Sequence, residues 1–173
     1  MTEIKQANIE NAPVLALLGR KTYVESHGHF IYNESDLKQY LDTAFSLSKA
    51  KAELSDPNVL IYFIYVGQTP VGYTKLVIND PGKNNSALSS CQLERIYIIK
   101  EFLGAQIGQR LFNFVLQKAR DLKRDIIWLS VYIKNERAIK FYKRNGFEQT
   151  GELDFDVAGK PYKNYVLSKN LVQ

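Results

Sequence analysis

The run Asn135-Glu136-Arg137-Ala138-Ile139-Lys140-Phe141-Tyr142-Lys143-Arg144-Asn145-Gly146-Phe147 marks a helix at both of its ends, and so fixes the length and place of one element outright. Asn135 suits an N-cap, because its side-chain oxygen can accept from the free backbone N–H groups of a first helical turn. Asn145-Gly146 supplies the left-handed residue that stops a helix. Asn135 and Tyr142 are seven positions apart, two turns of helix, and therefore project from nearly the same face. Any fold that holds this segment presents an amide and a phenol together.

The rest of the chain alternates strand-like and helix-like stretches without linkers or repeats. Glu3 to Gln6 reads as a short strand, and Ile9 to Tyr23 as a helix with Val14, Leu15, Leu17 and Leu18 on its buried side. Ser26-His27-Gly28-His29 reads as a solvent loop. Ser35 is the expected N-cap of a helix carrying Leu37, Tyr40, Leu41 and Phe45, with another helix from Ser48 to Leu54. Val59 to Val66 and Pro70 to Ile78 are β-branched and aromatic runs joined by Gly67-Gln68-Thr69, which predicts a hairpin. A polar loop from Asp80 to Ser90 leads into a strand from Cys91 to Ile98. Ile107 to Lys123 is an amphipathic helix, with Ile107, Leu111, Phe114, Val115, Ala119 and Leu122 at helical spacing. Ile126 to Val131 is expected to be a strand buried on both faces, and strands near Phe147 to Phe155 and Pro161 to Ser168 close the domain. The order predicts an α/β (α+β) fold, one domain over residues 1–173, with a mixed, mostly antiparallel sheet flanked by helices.

Composition excludes several classes. With 173 residues and 45% hydrophobic content, the chain can bury one sizeable core. The single cysteine, Cys91, rules out an internal disulfide and suits a reducing compartment. Met1 to Glu10 has acidic residues and no apolar run, and Val59 to Val66 is too short to span a bilayer, so a cytoplasmic protein without membrane partners is expected. The net charge of +5 comes from residues 101–145, where ten Lys/Arg face four Asp/Glu. Such an excess attracts a polyanion. Lys118, Arg120, Lys123 and Arg124 are expected to be only the solvated side of a helix, and nucleic acid is disfavoured because no recognised binding motif accompanies the charge.

The marked helix resembles the segment N-x-x-A-I-x-F-Y-x-x-x-G-F of the GNAT superfamily of acetyl-coenzyme A dependent N-acetyltransferases. Upstream, Leu93 to Leu111 is similar to that family's strand, turn and phosphate-binding helix start. Leu93-Glu94-Arg95-Ile96-Tyr97-Ile98 and the stretch Leu37 to Leu54 further resemble the PaiA-type polyamine acetyltransferases of bacteria.

The resemblance implies acetyl-coenzyme A as co-substrate. Its pyrophosphate would meet the turn Leu103-Gly104-Ala105-Gln106-Ile107-Gly108 and Gln109, since a helix start offers free N–H groups and a positive dipole end. The family pattern is Q/R-x-x-G-x-G/A, and here only Gly108 matches cleanly; Gln106 is expected to sit in the first helical turn, and a side-chain contact at Leu103 is lost. Ile96, Tyr97 and Ile98 correspond to strand positions that pair with the pantetheine amides, as an added strand would. Asn135 corresponds to a residue that contacts the cofactor arm.

Tyr142 is the candidate acid. Expelling a thiolate whose conjugate acid has a pKa of ~8.5 suits a phenol of pKa ~10 as proton donor. Phe141 is expected to take the core role beside it. The acceptor amine must be neutral to attack, and Glu94, in the strand that approaches the thioester, is the candidate base; a structural ion pair with Arg95 or another cation is the alternative. His27 and His29 alone are too few ligands for a metal, so none is expected. Residues 24–56 carry Glu25, Glu34, Asp36, Asp42, Glu53 and Asp56 against three lysines, a local acidity that, joined to the PaiA-like resemblance, favours spermidine or spermine over another primary amine or a protein N-terminus. A non-catalytic acetyl-coenzyme A binding module is the competing class, and Tyr142 argues against it. The oligomeric state is not legible in the sequence.

Overall fold

A computed structural model describes residues 1–80, 89–104 and 106–172. Most of the expected polar loop from Asp80 to Ser90, together with Ala105, lies outside the described residues. Seven strands form one sheet: β1 (Thr2–Gln6), β2 (Val59–Val66), β3 (Thr69–Val77), β4 (Ser90–Ile98), β5 (Ile126–Tyr132), β6 (Glu148–Val157) and β7 (Lys160–Asn170). Their spatial order is β1-β2-β3-β4-β5-β7-β6, and every neighbouring pair is antiparallel except β4 with β5. The helices are α1 (Ala12–His27), α2 (Glu34–Ala44), α3 (Leu47–Ser55), α4 (Ile107–Asp121) and α5 (Glu136–Arg144).

Two layers of apolar side chains cover the sheet. On one face α4 drops Phe112, Val115, Leu116 and Ala119 onto Leu93, Ile127, Leu129 and Leu167, and Phe141 and Tyr142 of α5 pack against this cluster. On the other, α1 and α3 pack Ala12, Leu15, Leu18 and Ala50 against Ile61, Phe63 and Tyr73. The period-2 pleat explains the division, since Ile61 and Phe63 point to one face of β2 and Ile64 to the other. No helix among the described residues is long and apolar enough to cross a membrane.

Several local expectations need correction. Val14 and Leu17 face solvent, at 38% and 72% exposure, because the core-facing stripe of α1 runs through Ala12, Leu15, Leu18 and Thr22. Asn33, not Ser35, caps α2, accepting from the N–H groups of Ser35 and Asp36. β5 is fully buried on alternate residues only, with its other face half-buried: Ile127, Leu129 and Val131 enter the core, while Trp128, Ser130 and Tyr132 look the other way. The segment Ser26 to His29 is no loop. α1 continues through His27, and Gly28 to Phe30 add a 3-10 turn packed at its end.

Candidate active site

Parallel pairing of β4 with β5 covers Ser90, Cys91 and Gln92 against Ile126, Ile127 and Trp128, and then stops. Beyond it the strands part around a cavity of about 1060 Å³. The free edge of β4 from Leu93 to Ile98 lines one side, and Leu129 to Tyr132 of β5 the other. Backbone groups with no strand partner on that edge are able to pair with an extended amide chain.

The wedge is shaped by a bulge that the sequence did not reveal. Lys75 of β3 lies opposite Arg95 and Leu76 opposite Leu93, so Glu94 is an extra residue in β4. Bulges re-aim side chains next to sites of this kind. Here Arg95 turns into the α3 side, where its guanidinium meets the Glu53 carboxylate at 3.1 Å and lies 4.8 Å from the ring centre of Phe45. Lys75 bridges Glu53, at 2.8 Å, and Glu94. Glu94 alone of these four is partly open, and it borders the cavity. Glu94 thus holds an ion pair, with Lys75 and not with Arg95, while still bordering the cavity.

At one end of the cavity stands the start of α4. The first intrahelical bond runs from the Arg110 N–H to the Gln106 carbonyl at 2.9 Å, which leaves the N–H groups of Ile107, Gly108 and Gln109 without helical partners. Gln106 is not in the helical turn as expected. It precedes it in the left-handed region, at φ 57°, a conformation that costs a non-glycine residue roughly 1 kcal/mol or more. Packing does not require glycine at 108: a Cβ there would meet only Ile98 Cγ1, at 3.8 Å. The space it would fill opens on the cavity. Lys100, Lys134, Arg137 and Arg144 line the same cavity, so part of the basic excess of residues 101–145 does face it. Free N–H groups, an open cradle and four cations fit the pyrophosphate and ribose phosphate of coenzyme A.

Of the positions singled out in the sequence, Glu94, Ile96, Tyr97, Ile98, Leu103, Gly104, Gln106, Gly108, Gln109, Asn135 and Tyr142 all border the cavity. Ile107 does not. Its side chain packs with Ile64, Val71 and Leu111, leaving only its main chain for a ligand. Asn135 caps α5 as expected, accepting from the Ala138 N–H at 3.2 Å, and Gly146 takes φ 81° after the helix end. The Gln109 side chain donates to the Asn145 side chain at 2.9 Å, tying the start of α4 to the end of α5.

Tyr142 shares the core role that Phe141 was expected to hold alone. Both rings pack on Phe112, with centroids 6.0 and 5.1 Å away. Burial pushes the Tyr142 phenol above its ordinary value, so it keeps its proton at neutral pH and stays a donor. The sole cysteine is no rival nucleophile: Cys91 is sealed in the core, and burial pushes its thiol up to about 12.

Another part of the cavity wall is aromatic. Tyr23, His27, Phe30 and Tyr40 approach from α1, α2 and the turn between them, with Tyr132, Phe155 and Tyr162 from the C-terminal strands. His27, set aside in the sequence as a solvent-loop residue, stacks on Tyr23 at 4.8 Å and stands edge-on to Tyr97 at 5.6 Å. Burial lowers its pKa to about 4 and keeps it neutral. An H-x-H pattern in a polar run gave no signal of this, because α1 was expected to end before it.

The acidity of residues 24–56 does not reach the cavity as expected. Asp42 pairs with Arg20 at 2.8 Å and Lys38 at 2.6 Å, Asp36 pairs with Lys160, and Glu53 is buried with Lys75 and Arg95. Of the six acids, only Glu25 borders the cavity, and it is held by Lys21 and by the Lys100 N–H at 2.8 Å.

The acetyltransferase (GNAT) family model matches residues 23–147. An uncharacterized N-acetyltransferase in the pepI 3′ region of Lactobacillus delbrueckii subsp. lactis is 28% identical over 174 residues, covering 99% of this chain and all of that one. Over 65 residues, 37% of this chain and 43% of the other, the spermine/spermidine N(1)-acetyltransferase of Bacillus subtilis is 35% identical. Among solved structures, the PaiA N-acetyltransferase of Thermoplasma acidophilum in complex with coenzyme A superposes with a TM-score of 0.79 at 21% identity, covering 98% of this chain and 99% of that one.

Proposed function

Because this chain belongs to the GNAT family of N-acetyltransferases, we propose that it moves an acetyl group from acetyl-coenzyme A to a primary amine of the spermidine and spermine class, by direct attack with both substrates bound. The observation that carries the reading is one cavity whose lining joins an anion-binding helix start, a free strand edge and Tyr142 to a cluster of aromatic side chains.

In this reading the N–H groups of Ile107, Gly108 and Gln109 hold the pyrophosphate, with Lys134, Arg137 and Arg144 around it. The edge of β4 from Ile96 to Ile98 pairs with the pantetheine arm, and Leu103, Gly104, Gln106 and Asn135 border that path. Bound acetyl-coenzyme A supplies the activated acyl group. Tyr142, protonated in its apolar setting, gives its proton to the departing sulfur. Glu94, kept at the bulge by Lys75, takes up the amine proton through water.

Support for a polyamine comes from the local likeness to the Bacillus spermine/spermidine enzyme and the overall likeness to PaiA, and from an aromatic chamber able to hold a cationic chain by ring faces. It does not come from the acids of α2, none of which borders the cavity, and of which Asp36 and Asp42 are paired with Lys160, Arg20 and Lys38. A free, buried cysteine suits work in the cytoplasm.

Thiol release from acetyl-coenzyme A with a panel of spermine, spermidine, n-butylamine and a peptide N-terminus tests both levels. Turnover with spermine that falls as salt rises supports the polyamine reading. Equal use of n-butylamine and spermine, with no salt effect on either, removes the polyamine and leaves the acetyltransferase; no thiol release with any amine removes both.

A further inference from the structure

We propose that His27 is the substrate-contacting hydrogen-bond acceptor of the amine chamber, its Nε2 receiving an N–H of the acceptor amine and orienting that nitrogen. The inference rests on the acetyltransferase reading and adds a residue to it.

The tautomer follows from a short chain of bonds. The Ser26 hydroxyl donates to the Thr22 carbonyl at 2.7 Å, and a carbonyl can only accept. With its proton committed there, Ser26 Oγ faces His27 Nδ1 at 2.6 Å as an acceptor, so Nδ1 carries the ring proton. Nε2 is then an unprotonated lone pair. It has no partner among the described residues, and it is not among the sealed polar atoms of the structure, so it meets the cavity that His27 lines. Stacking on Tyr23 and edge contacts with Tyr97 and Phe30 hold the ring in place. An oriented, neutral acceptor in an aromatic enclosure can bind only a donor, and an amine is the donor the reaction brings.

Its location fits as well. Tyr97 belongs to the strand edge that would carry the pantetheine arm, and the His27 ring lies against the Tyr97 ring. The titratable groups facing His27 are Tyr23 from its own helix, Tyr97 from β4 and His29 from the following turn. Burial of the imidazole keeps it neutral across the range in which the enzyme would work.

The test compares His27→Phe, His27→Gln, His27→Asn and Ser26→Ala with the unaltered protein, using spermidine and n-butylamine as acceptors. Phenylalanine keeps the stack and removes Nε2, so kcat/KM should fall by roughly 10-fold or more for both amines, the cost of one hydrogen bond to a charged or polar donor. Gln places an oxygen near the Nε2 position and should recover much of that loss, whereas Asn reaches only the Nδ1 position and should not. Ser26→Ala frees the tautomer and should cause a smaller loss of the same kind. Two readouts beyond activity accompany these: the thermal shift on adding coenzyme A should be unchanged in every variant, and ring-nitrogen NMR of the unaltered protein should show Nδ1 protonated. His27→Phe within twofold of the unaltered protein, or an Nε2-protonated ring, overturns the assignment while the acetyltransferase reading stands. No thiol release by the unaltered protein with either amine, in contrast, overturns the functional reading and the assignment with it.

Discussion

Replacing Glu53 by Gln should cost this protein about 3 kcal/mol of stability, far more than any surface charge change. Glu53, Lys75 and Arg95 have side chains only 5%, 6% and 9% exposed, so each charge has given up most of its water. Glu53 answers both cations, at 2.8 and 3.1 Å. The amide keeps the size of the carboxylate and can still accept a hydrogen bond, but its charge is gone. Lys75 retains Glu94; Arg95 is left in the interior with no carboxylate against it. Breaking a buried pair from one side costs about 3–5 kcal/mol, and the surviving Lys75–Glu94 contact argues for the lower end. Against a usual stability of about 5–15 kcal/mol that is a large share, and it corresponds to a fall in Tm of roughly 6–12 °C for a chain of this size. Urea titration with the m-value held in view measures it. Glu136→Gln is the control, since the Glu136–Lys140 pair is 79% and 74% exposed and should change stability by no more than about 0.5 kcal/mol. Adding Arg95→Met to Glu53→Gln should recover much of the loss, because the orphaned charge goes with it. Equal, small effects of Glu53→Gln and Glu136→Gln would refute the reasoning, as would a double variant weaker than the sum of its parts.

Other outcomes follow from the same structure. Tyr142→Phe keeps the ring against Phe112 and Phe147, so Tm should hold while turnover drops by roughly 100-fold; unchanged turnover in a chemistry-limited assay removes Tyr142 as acid. Gly108→Val should leave the apo-protein's melting temperature intact, with only Ile98 nearby, yet reduce the thermal shift given by coenzyme A. Gly19→Ala places a Cβ 2.6 Å from the Phe45 ring, which Tyr23 and Arg95 hold; overpacking of about 1–3 kcal/mol then outweighs the ~1 kcal/mol helix gain, and a higher Tm would contradict this. His27 has a folded pKa of about 4 against an ordinary 6.5, so the unfolded chain binds its proton first on acidification. Its contribution, up to roughly 3 kcal/mol, is complete above pH 6.5 and is lost as pH falls toward 4; His27→Phe should flatten that limb of the stability–pH curve.

What the sequence determined by itself was whatever depends on neighbours along the chain. Asn135 and Gly146 set the ends of α5 because caps act on the backbone within a turn of themselves, and the apolar spacing of α4 and the β-branched run of β2 declare their periods locally. The family motif is legible for the same reason, since Asn135, Tyr142 and Gly108 lie in short segments. Tertiary structure decided everything that needed a partner far away. A bulge at Glu94 is a count of residues in β4 against β3, invisible within either strand. Pairing of Asp36 with Lys160, 124 positions later, matched one charge of what reads along the chain as an acidic patch. His27 changed from a loop residue to a wall of the cavity because β4 brought Tyr97 to it, and burial, a property of the packed whole, set both its charge and that of Tyr142.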